Sequence, residues 1–495
     1  MNMSSKPNIL FLMTDQMQGR VLDNLNPCKT PNIDKLAARG MRFTRAYTPN
    51  AVCSPARASL MTGLLPHNHG VLWVTHSVDD DQGMLRDDKA HWAQRLTGSG
   101  YKTGYFGKWH IERSGELDRF GWQVFAEPLG SQSTQSPKGF PELSTKLSKF
   151  EQKSKDLVNS SNFSVGMNLD QNEGYSNSRF YGVTDVPPEE RSLGIRTQFA
   201  MDFLDDVIDG DDPWCCFVSL IEPHDPFICG EEAFSKYDVD SLELQPNVFD
   251  ELENRPGIYK KAAQIFDKMN DRQKREAMAC YYANISEIDE QFGRLIKRLE
   301  DSGQLENTII ILTSDHGELL GSHGLYTKNF MASEEIYNIP MVLAGPGIAQ
   351  GVVTDARVGS HDLCPTILDL VGCDQIEAPD STSFLSVLAD PINEGPKFQK
   401  GYAEYFGGRM ILTQRVVWNG QWKFVFNGFD FDELYDLEND PYELNNIAYD
   451  SQHRKKLKEM TAQMWQVIRD TNDGSLANSN YPSMRVASYG PITSD

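Results

Sequence analysis

The stretch Cys53-Ser54-Pro55-Ala56-Arg57, which runs on to Thr62-Gly63, carries the most information in this sequence. It places a cysteine, a proline and an arginine at alternate positions, with a Thr-Gly pair close behind. The residues from Ala58 to Gly63 predict the start of a helix. The simpler interpretation of the motif is a buried cysteine in a helix-capping turn. The rest of the chain decides between that interpretation and a chemical role.

Four short apolar runs each end in a cluster of polar residues. Between them lie helical patterns such as Arg275 to Asp301, whose apolar residues recur at helical spacing. Strands that alternate with helices predict an α/β fold with a large, mostly parallel sheet flanked by helices. Functional groups gather beyond the carboxyl ends of such strands, so residues far apart in sequence can converge there. The runs and their clusters are Asn8–Met13 before Thr14-Asp15-Gln16, Thr103–Phe106 before Gly107-Lys108-Trp109-His110, Phe217–Ile221 before Glu222-Pro223-His224, and Thr308–Thr313 before Ser314-Asp315-His316-Gly317.

The C-terminal part has a different pattern. Arg409 to Trp418 and Gln421 to Phe426 flank Asn419-Gly420, which is a strong signal for a β-hairpin. A further short strand is expected at Glu433 to Leu437, and Ser451 to Arg469 has helical periodicity. These patterns predict a small antiparallel sheet with a helix.

The sequence therefore predicts two domains. Residues 1–389 are predicted to form a large α/β domain, and residues 390–495 a small C-terminal α+β subdomain. Within the first domain, residues 129–190 are rich in Ser, Gln, Asn and Lys and show little periodicity. We interpret them as an insertion or lid.

Composition excludes several classes of partner. The 495 residues include 47 Lys and Arg against 70 Asp and Glu, a net charge of −23. This charge argues against nucleic acid and anionic membranes as partners. No run of apolar residues is long enough for a transmembrane helix. The start of the chain lacks the pattern of a signal peptide, which predicts a cytoplasmic location, or a periplasmic or secreted one where a signal was trimmed.

The motifs together resemble the type I, formylglycine-dependent sulfatases of the alkaline phosphatase superfamily, and among them the bacterial polysaccharide sulfatases. The resemblance begins with C-x-P-x-R and T-G at residues 53–63. It continues, in the family's order, through the Gly-Lys-Trp-His, Pro-His-Asp-Pro-Phe and Ser-Asp-His-Gly-Glu motifs. The C-terminal hairpin and the Leu-Tyr-Asp-Leu segment extend it to about residue 447. An alkaline-phosphatase-like fold is what this resemblance implies.

The resemblance implies that Cys53 is not used as a thiol. A formylglycine-generating enzyme, or an anaerobic sulfatase-maturing enzyme, would oxidise it to the aldehyde formylglycine. One hydroxyl of the hydrated aldehyde attacks sulfur, and Arg57 fixes this diol. One divalent cation is implied, with calcium favoured and magnesium as the alternative. Its ligands would be Asp15, Gln16, the residue at position 53, Asp315 and His316. Gln16 and His316 depart from the Asp and Asn of many family members.

The remaining catalytic roles also follow from the resemblance. Lys108 and Lys328 would stabilise the sulfuryl oxygens. His224, together with Lys328, would give a proton to the leaving oxygen. His110 would remove a proton from the remaining hydroxyl of the sulfated diol, so that sulfate leaves and the aldehyde is restored. Hydrolysis is thereby split into two easier steps.

A further set of histidines, aromatic residues and charged residues near these motifs could select the substrate. Aromatic faces stack on sugars, and imidazoles reach hydroxyl or sulfate groups. The set comprises His67, His69, Trp73, His76, Arg86, Glu222, His323 and Tyr326.

The function predicted from these residues is hydrolysis of a sulfate ester on a poly- or oligosaccharide, with release of inorganic sulfate. One alternative is a phosphonate or phosphodiester hydrolase of the same superfamily, because some of those enzymes share the Asp-Gln and Asp-His pairs. Another is a catalytically inactive carbohydrate-binding homologue. The Gly-Lys-Trp-His motif favours the sulfatase, and the intact set of catalytic residues argues against the inactive homologue.

Overall fold

The computed structural model describes residues 6–79, 82, 84–126, 163–169, 178–328, 330–408, 410–476 and 482–492. Its strands, numbered in chain order, are β1 Asn8–Asp15, β2 Gly40–Tyr47, β3 Lys102–Gly107, β4 Val124–Ala126, β5 Val165–Leu169, β6 Ser178–Thr184, β7 Trp214–Pro223, β8 Phe227–Gly230, β9 Thr308–Ser314, β10 Met341–Ala344, β11 Val352–Gly359, β12 Lys400–Tyr405, β13 Gln414–Asn419, β14 Trp422–Asn427 and β15 Glu433–Asp436.

The main sheet has the strand order β11-β2-β10-β9-β1-β7-β3-β4. Only β10 runs against its neighbours in this sheet, so the sheet is mostly parallel, as predicted. β1 lies near the middle and is buried along its whole length. Such burial on both faces is expected of a parallel sheet covered by helices. The carboxyl ends of β1, β3, β7 and β9 therefore meet at one edge.

The helices flank this sheet on both faces. Leu10 and Leu12 of β1 belong to one hydrophobic cluster, and Ile9 and Phe11 belong to the other. The α-helices are α1 Pro31–Ala38, α2 Cys53–Thr62, α3 Pro66–His69, α4 Trp92–Gly98, α5 Ser192–Val207, α6 Glu231–Ser235, α7 Gly257–Ala263, α8 Asp271–Asp301, α9 Glu334–Tyr337, α10 Leu363–Leu370, α11 Leu385–Ala389, α12 Pro391–Glu394 and α13 Arg454–Asp470. None of the described helices is both long enough and apolar enough to cross a membrane.

The C-terminal part contains the predicted small sheet. β12, β13, β14 and β15 are antiparallel neighbours in that order, and α13 packs on them through Met460 and Met464. The hairpin differs from the prediction by one residue. Asn419 pairs with Trp422, so the two-residue loop is Gly420-Gln421, with Gly420 at φ +58. β13 begins at Gln414 rather than at the predicted residue 409, which lies outside the described residues.

The predicted insertion at 129–190 lies mostly outside the described residues. Its described part contains β5 and β6, which join β8 in a three-stranded sheet. β5 and β6 are antiparallel, and β6 is parallel to β8. The interpretation of this segment as an insertion or lid, and the domain boundary at residues 389 and 390, stay predictions.

The ring of His67, in α3, connects the main domain to the C-terminal part. Its Nδ1 lies 2.6 Å from Oε1 of Glu404 in β12, and its Nε2 lies 2.9 Å from the carbonyl oxygen of Thr471. Burial lowers the pKa of His67. The hydrogen bond and charge of Glu404 outweigh burial and raise that pKa from its ordinary 6.5 to about 9. The charged form of His67 therefore stabilises the fold.

We expect this contribution to be fully present below about pH 6.5 and to be lost as the pH rises through 9, because the folded state holds the proton more tightly than the unfolded state. A pKa shift of this size corresponds to a contribution of roughly 3 kcal/mol to the free energy of unfolding. Melting temperatures of the wild type and of His67→Gln, measured from pH 6 to pH 10, should converge as the pH rises. Parallel curves would contradict the prediction.

Candidate active site

Cys53 is the first residue of helix α2, which begins five residues before the predicted start at Ala58. Val52 before it is extended, and Pro55 fits the first turn because a helix needs no N–H hydrogen bond there. The helix ends at Gly63, which has φ +69 and donates its N–H to the Ser59 carbonyl. The whole helix is buried. Cys53 thus lies at the positive end of a helix dipole.

Two carboxylates and a histidine from separate strands surround Cys53. Asp15 ends β1, and Asp315 and His316 follow β9, the neighbouring parallel strand. The ligand atoms of these four buried residues all lie within 4.8 Å of one another. The structure therefore brings together the predicted strand-end residues.

This cluster has the donors that a metal ion requires. Oδ1 of Asp15 is buried, and the described residues provide it with no hydrogen-bond partner. An orphaned buried carboxylate oxygen needs an explanation, and hard divalent cations prefer such ligands. Nε2 of His316 lies 3.7 Å from this oxygen. The group could therefore bind a metal ion.

Arg57 connects the two carboxylates. It lies one turn after Cys53, donates from Nε to Asp315 Oδ2 at 2.7 Å, and donates from Nη2 to Asp15 Oδ2 at 3.2 Å. Its Nη1 donates to Ser219 Oγ and to the Lys108 carbonyl, each at 2.8 Å. Burial raises the pKa of Asp15, yet Lys108, His224 and Arg57 outweigh it and hold the pKa far below its usual range. Asp15 is therefore ionised.

The chain presents Lys108 through a turn that needs a glycine. Gly107 has φ +118, and a Cβ at that position would lie 1.9 Å from the carbonyl oxygen of Ser219. The Lys108 ammonium forms a short ion pair with Asp15. A residue with a side chain at position 107 would push β3 and β7 apart and displace this ammonium.

Positive charge dominates around Cys53. Burial raises the pKa of the thiol, but Lys108, Lys328 and His316 outweigh burial and hold the pKa well below its usual range. The pocket therefore stabilises negative charge at the position of the Cys53 side chain. Such surroundings are typical of a reactive cysteine and differ from those of an inert buried cysteine.

His110 lies beside Cys53 in the neutral state. Burial and the Lys108 charge lower its pKa to about 4, although a hydrogen bond to Cys53 acts in the opposite direction. Its Nε2 lies 2.7 Å from Nδ1 of His76, and the two rings stack with centroids 4.9 Å apart. A neutral imidazole at this position can accept a proton.

His224 and Lys328 face each other on another side of the cluster, with Nε2 of His224 2.5 Å from the Lys328 ammonium. Asp225 lies 3.3 Å from Nδ1 of His224. Burial and Lys328 lower the pKa of His224, but Asp225 and Asp15 outweigh them and raise it. Gln16 accepts a hydrogen bond from Lys328 at 3.0 Å through its carbonyl oxygen.

Sequence reasoning missed three polar residues of this site. They are Ser219, which binds Arg57, Asp225, which binds His224, and Glu318, which binds Gln16. Asp225 and Glu318 stand inside the Pro-His-Asp-Pro-Phe and Ser-Asp-His-Gly-Glu motifs, which was a usable signal. Ser219 lies in the apolar run of β7, and its sequence context gives no such signal.

Three predicted substrate residues are buried within the protein. His69 binds Ser59 Oγ at 3.0 Å, His323 binds Asp250 at 2.6 Å, and Tyr326 packs among the aromatic rings of the core. His69 and His323 have no exposed surface, and Tyr326 is 2% exposed. They cannot reach a sugar without a rearrangement of the core, and we do not retain them as substrate residues.

The other predicted substrate residues lie nearer the surface. His67 binds Glu404, the Trp73 indole donates to the Phe406 carbonyl at 2.8 Å, and Arg86 donates to the Asn68 carbonyl at 3.0 Å. Glu222 is partly buried, 3.9 Å from Arg196. His76 is exposed and contacts His110. Of this set, His76 contacts His110, which lies beside Cys53.

The fold and the cluster define an α/β protein with a buried, positively charged site that suits an anionic centre, and comparison with known proteins identifies its family. The sulfatase family model matches residues 7–373. A model of the C-terminal region of N-sulphoglucosamine sulphohydrolase matches residues 321–470. The chain belongs to the sulfatase family and is a sulfuric ester hydrolase, which confirms the prediction from the motifs.

Individual relatives agree with this family. The chain is 30% identical to the uncharacterized sulfatase YidJ of Escherichia coli K12, over 94% of this chain and 88% of that protein. It is 25% identical to the N-acetylglucosamine-6-O-sulfatase of Bacteroides thetaiotaomicron, over 92% of this chain and 85% of that protein. The solved structure of BT4656, in complex with its substrate D-glucosamine-2-N,6-O-disulfate, shares the fold. Its TM-score is 0.71 at 22% identity, and the alignment covers 95% of this chain and 99% of that one.

Proposed function

We propose that this sulfatase hydrolyses sulfate esters of a poly- or oligosaccharide with formylglycine, formed from Cys53 by a maturation enzyme, as its nucleophile. The observation that carries the proposal is the position of Cys53 at a helix N-terminus among Lys108, Lys328 and His316. These groups favour negative charge on the side chain at position 53. Formylglycine would supply a hydrated aldehyde there, with a hydroxyl that can attack sulfur.

One divalent cation, with calcium favoured over magnesium, would be held by Asp15, Asp315, His316 and the side chain at position 53. Gln16 would join through the carbonyl oxygen that Lys328 now contacts. The bound cation would acidify the nucleophile and neutralise a sulfuryl oxygen. The orphaned Oδ1 of Asp15 supports this assignment, because a buried carboxylate oxygen otherwise remains without a partner among the described residues.

The surrounding side chains divide the remaining work. Lys108 and Lys328 neutralise the sulfuryl oxygens. The pair formed by His224 and Lys328 holds the proton for the leaving oxygen, and Asp225 keeps the His224 ring in orientation. Neutral His110, on the side of Cys53, is the base of the second step. Arg57 fixes the carboxylates and the nucleophile.

The carbohydrate assignment rests on relatives. The N-acetylglucosamine-6-O-sulfatase of Bacteroides thetaiotaomicron aligns with 92% of this chain. The structure of BT4656, which shares the fold, contains a sulfated glucosamine as its substrate. Release of sulfate from a panel of sulfated oligosaccharides, with product mass measured, tests the class. A phosphonate ester cleaved faster than every sulfate ester would favour the phosphonate hydrolase instead.

We expect formylglycine at position 53 in active protein. Peptide mass spectrometry should show a loss of about 18 Da relative to cysteine, because an aldehyde replaces the thiol. Cys53→Ser should fold and bind substrate but turn over very slowly unless serine itself is converted. Full activity in protein that carries only unmodified Cys53 would refute this mechanism.

We expect one calcium ion per chain. Elemental analysis of the purified enzyme should give this ratio, and Asp315→Asn should lower it, because a carboxylate ligand is removed. Asp289→Asn is the matched control, since Asp289 is a buried carboxylate that accepts hydrogen bonds from the start of α1. Two zinc ions per chain would overturn the single-metal site.

We expect His224→Ala to damage poor leaving groups most, because a sugar alcohol needs protonation and nitrophenol needs little. The variant should slow a sugar sulfate by roughly 10²–10⁴-fold, the range of general acid catalysis. It should slow nitrophenyl sulfate much less. Lys108→Ala should slow both substrates alike, because Lys108 would bind sulfuryl oxygens whatever the leaving group. Equal damage from His224→Ala would make His224 a sulfate-binding residue.

A further inference from the structure

The carboxylate of Glu318 is fully buried and holds together a loop next to the candidate active site. Its Oε1 accepts hydrogen bonds from the backbone N–H of Leu320 at 2.9 Å and of Thr327 at 2.6 Å. These two contacts draw together the ends of the 320–327 loop. Thr327 has φ +62, a left-handed conformation that is unfavourable for threonine. The next residue along the chain is Lys328.

The other oxygen of Glu318 fixes the orientation of Gln16. Oε2 accepts from the Gln16 amide nitrogen at 2.5 Å, and the same nitrogen donates to Asp225 at 3.0 Å. With its nitrogen held by two carboxylates, the Gln16 amide must direct its carbonyl oxygen the other way. That oxygen accepts from the Lys328 ammonium at 3.0 Å.

These contacts connect Glu318 to the proton donor in two ways. One runs through the backbone, from Thr327 to Lys328. The other runs through Gln16, whose oxygen holds the Lys328 ammonium 2.5 Å from Nε2 of His224. Glu318 forms no hydrogen bond with Lys328 or His224 among the described residues, although its charge acts on Lys328 through space. Its hydrogen bonds therefore reach this pair only through the loop and Gln16.

We propose that Glu318 is a positioning residue for leaving-group protonation, and that it orients Lys328 against His224 through Gln16 and Thr327. This inference rests on the proposed role of His224 and Lys328 as the source of the proton. It assigns a function to a residue that carries none in the mechanism above. Both carboxylate oxygens of Glu318 accept hydrogen bonds in this arrangement. A substitution by glutamine, which has the same size, replaces one of these acceptors by a donor.

Glu318→Gln keeps the size of the side chain and changes one acceptor into a donor. If its carbonyl stays on the two backbone N–H groups, its NH₂ faces the NH₂ of Gln16. The Gln16 amide then either moves away from position 318 or turns over, which places an NH₂ group against the Lys328 ammonium and the Gln16 oxygen against Asp225. Both changes displace the Gln16 oxygen from its present position. Lys328 loses its acceptor, and the contact with His224 is disturbed without any change in Lys328 or His224 themselves.

The test measures kcat on a sugar sulfate and on nitrophenyl sulfate for the wild type, Glu318→Gln, His224→Ala and the double variant. Assays are run at saturating calcium, with the metal content of each variant measured, because Gln16 is also a proposed metal ligand. At equal metal content we expect Glu318→Gln to slow the sugar sulfate by about 10–100-fold, part of the range of general acid catalysis, and nitrophenyl sulfate by much less. On the sugar sulfate the double variant should be no slower than His224→Ala alone, because both changes impair the same step, protonation of the leaving oxygen.

The matched control is Glu287→Gln, which alters another buried carboxylate, one that binds Arg191 and the Gly230 N–H. It should lower the melting temperature without discriminating between the substrates. If Glu318→Gln does not fold, Glu318→Asp, which retains the charge but shortens the reach, replaces it in the same assays.

The outcomes separate the inference from the function on which it rests. Equal losses on both substrates from Glu318→Gln, or fully additive losses in the double variant, would overturn the positioning role of Glu318. If His224→Ala is still selective in that case, the assignment of His224 as the proton donor stands. A selective Glu318→Gln beside an unselective His224→Ala would move the donor to Lys328 and uphold the positioning role. If neither variant is selective, both assignments fail.

Discussion

The site depends on one buried arrangement of charge, in which Arg57 lies between Asp15 and Asp315. The two carboxylates end neighbouring parallel strands, β1 and β9, whose pairing sets them side by side. Two adjacent carboxylates without solvent repel each other, and each alone would favour the neutral form. Arg57, in the first turns of α2, neutralises part of this charge. The helix that carries Cys53 therefore also offsets the repulsion between the two carboxylates beside it. Removing one member of a buried ion pair typically costs about 3–5 kcal/mol, because the partner is left uncompensated.

Arg57 and the two lysines near it, Lys108 and Lys328, give the pocket its preference for anions. The chain as a whole carries a net charge of −23, which does not attract a sulfated substrate. The Lys108, Lys328 and Arg57 side chains are gathered at one edge of the sheet and act at short range, where low dielectric makes each charge more effective. Each of them is paired with an acidic or polar group of the protein, so the pocket is pre-organised before any substrate enters. Local organisation, rather than the field of the whole molecule, therefore selects the ligand.

The sequence predicted those parts of the structure that short-range patterns control. Buried strands followed by polar residues identified the sheet and placed Asp15, Lys108, His224 and Asp315 at one edge, because a parallel sheet aligns its carboxyl ends. The helix α2 begins at Cys53, five residues before the predicted start at Ala58, because a proline such as Pro55 is compatible with the first turn of a helix. Substrate residues were the least predictable. His69 and His323 are polar in the sequence, but long-range packing against Ser59 and Asp250 makes them part of the interior. The Ser219 contact depends on strand register alone, which no local motif encodes.

Glu318 illustrates how a motif can carry more than its named residues. The motif Ser-Asp-His-Gly-Glu supplies Asp315 and His316 to the group of residues around Cys53 that could bind a metal ion. Three residues after Asp315 it supplies the carboxylate that orders the next loop. A Cβ at position 317 would lie 2.0 Å from the carbonyl oxygen of Glu335. A residue larger than glycine there would therefore displace both the Asp315-His316 pair and the Glu318 carboxylate. One short segment therefore couples the geometry around the Cys53 side chain to that of the His224 and Lys328 pair. In the proposed mechanism this coupling would hold the nucleophile and the proton donor at a fixed separation, and catalysis by positioning depends on such fixed geometry.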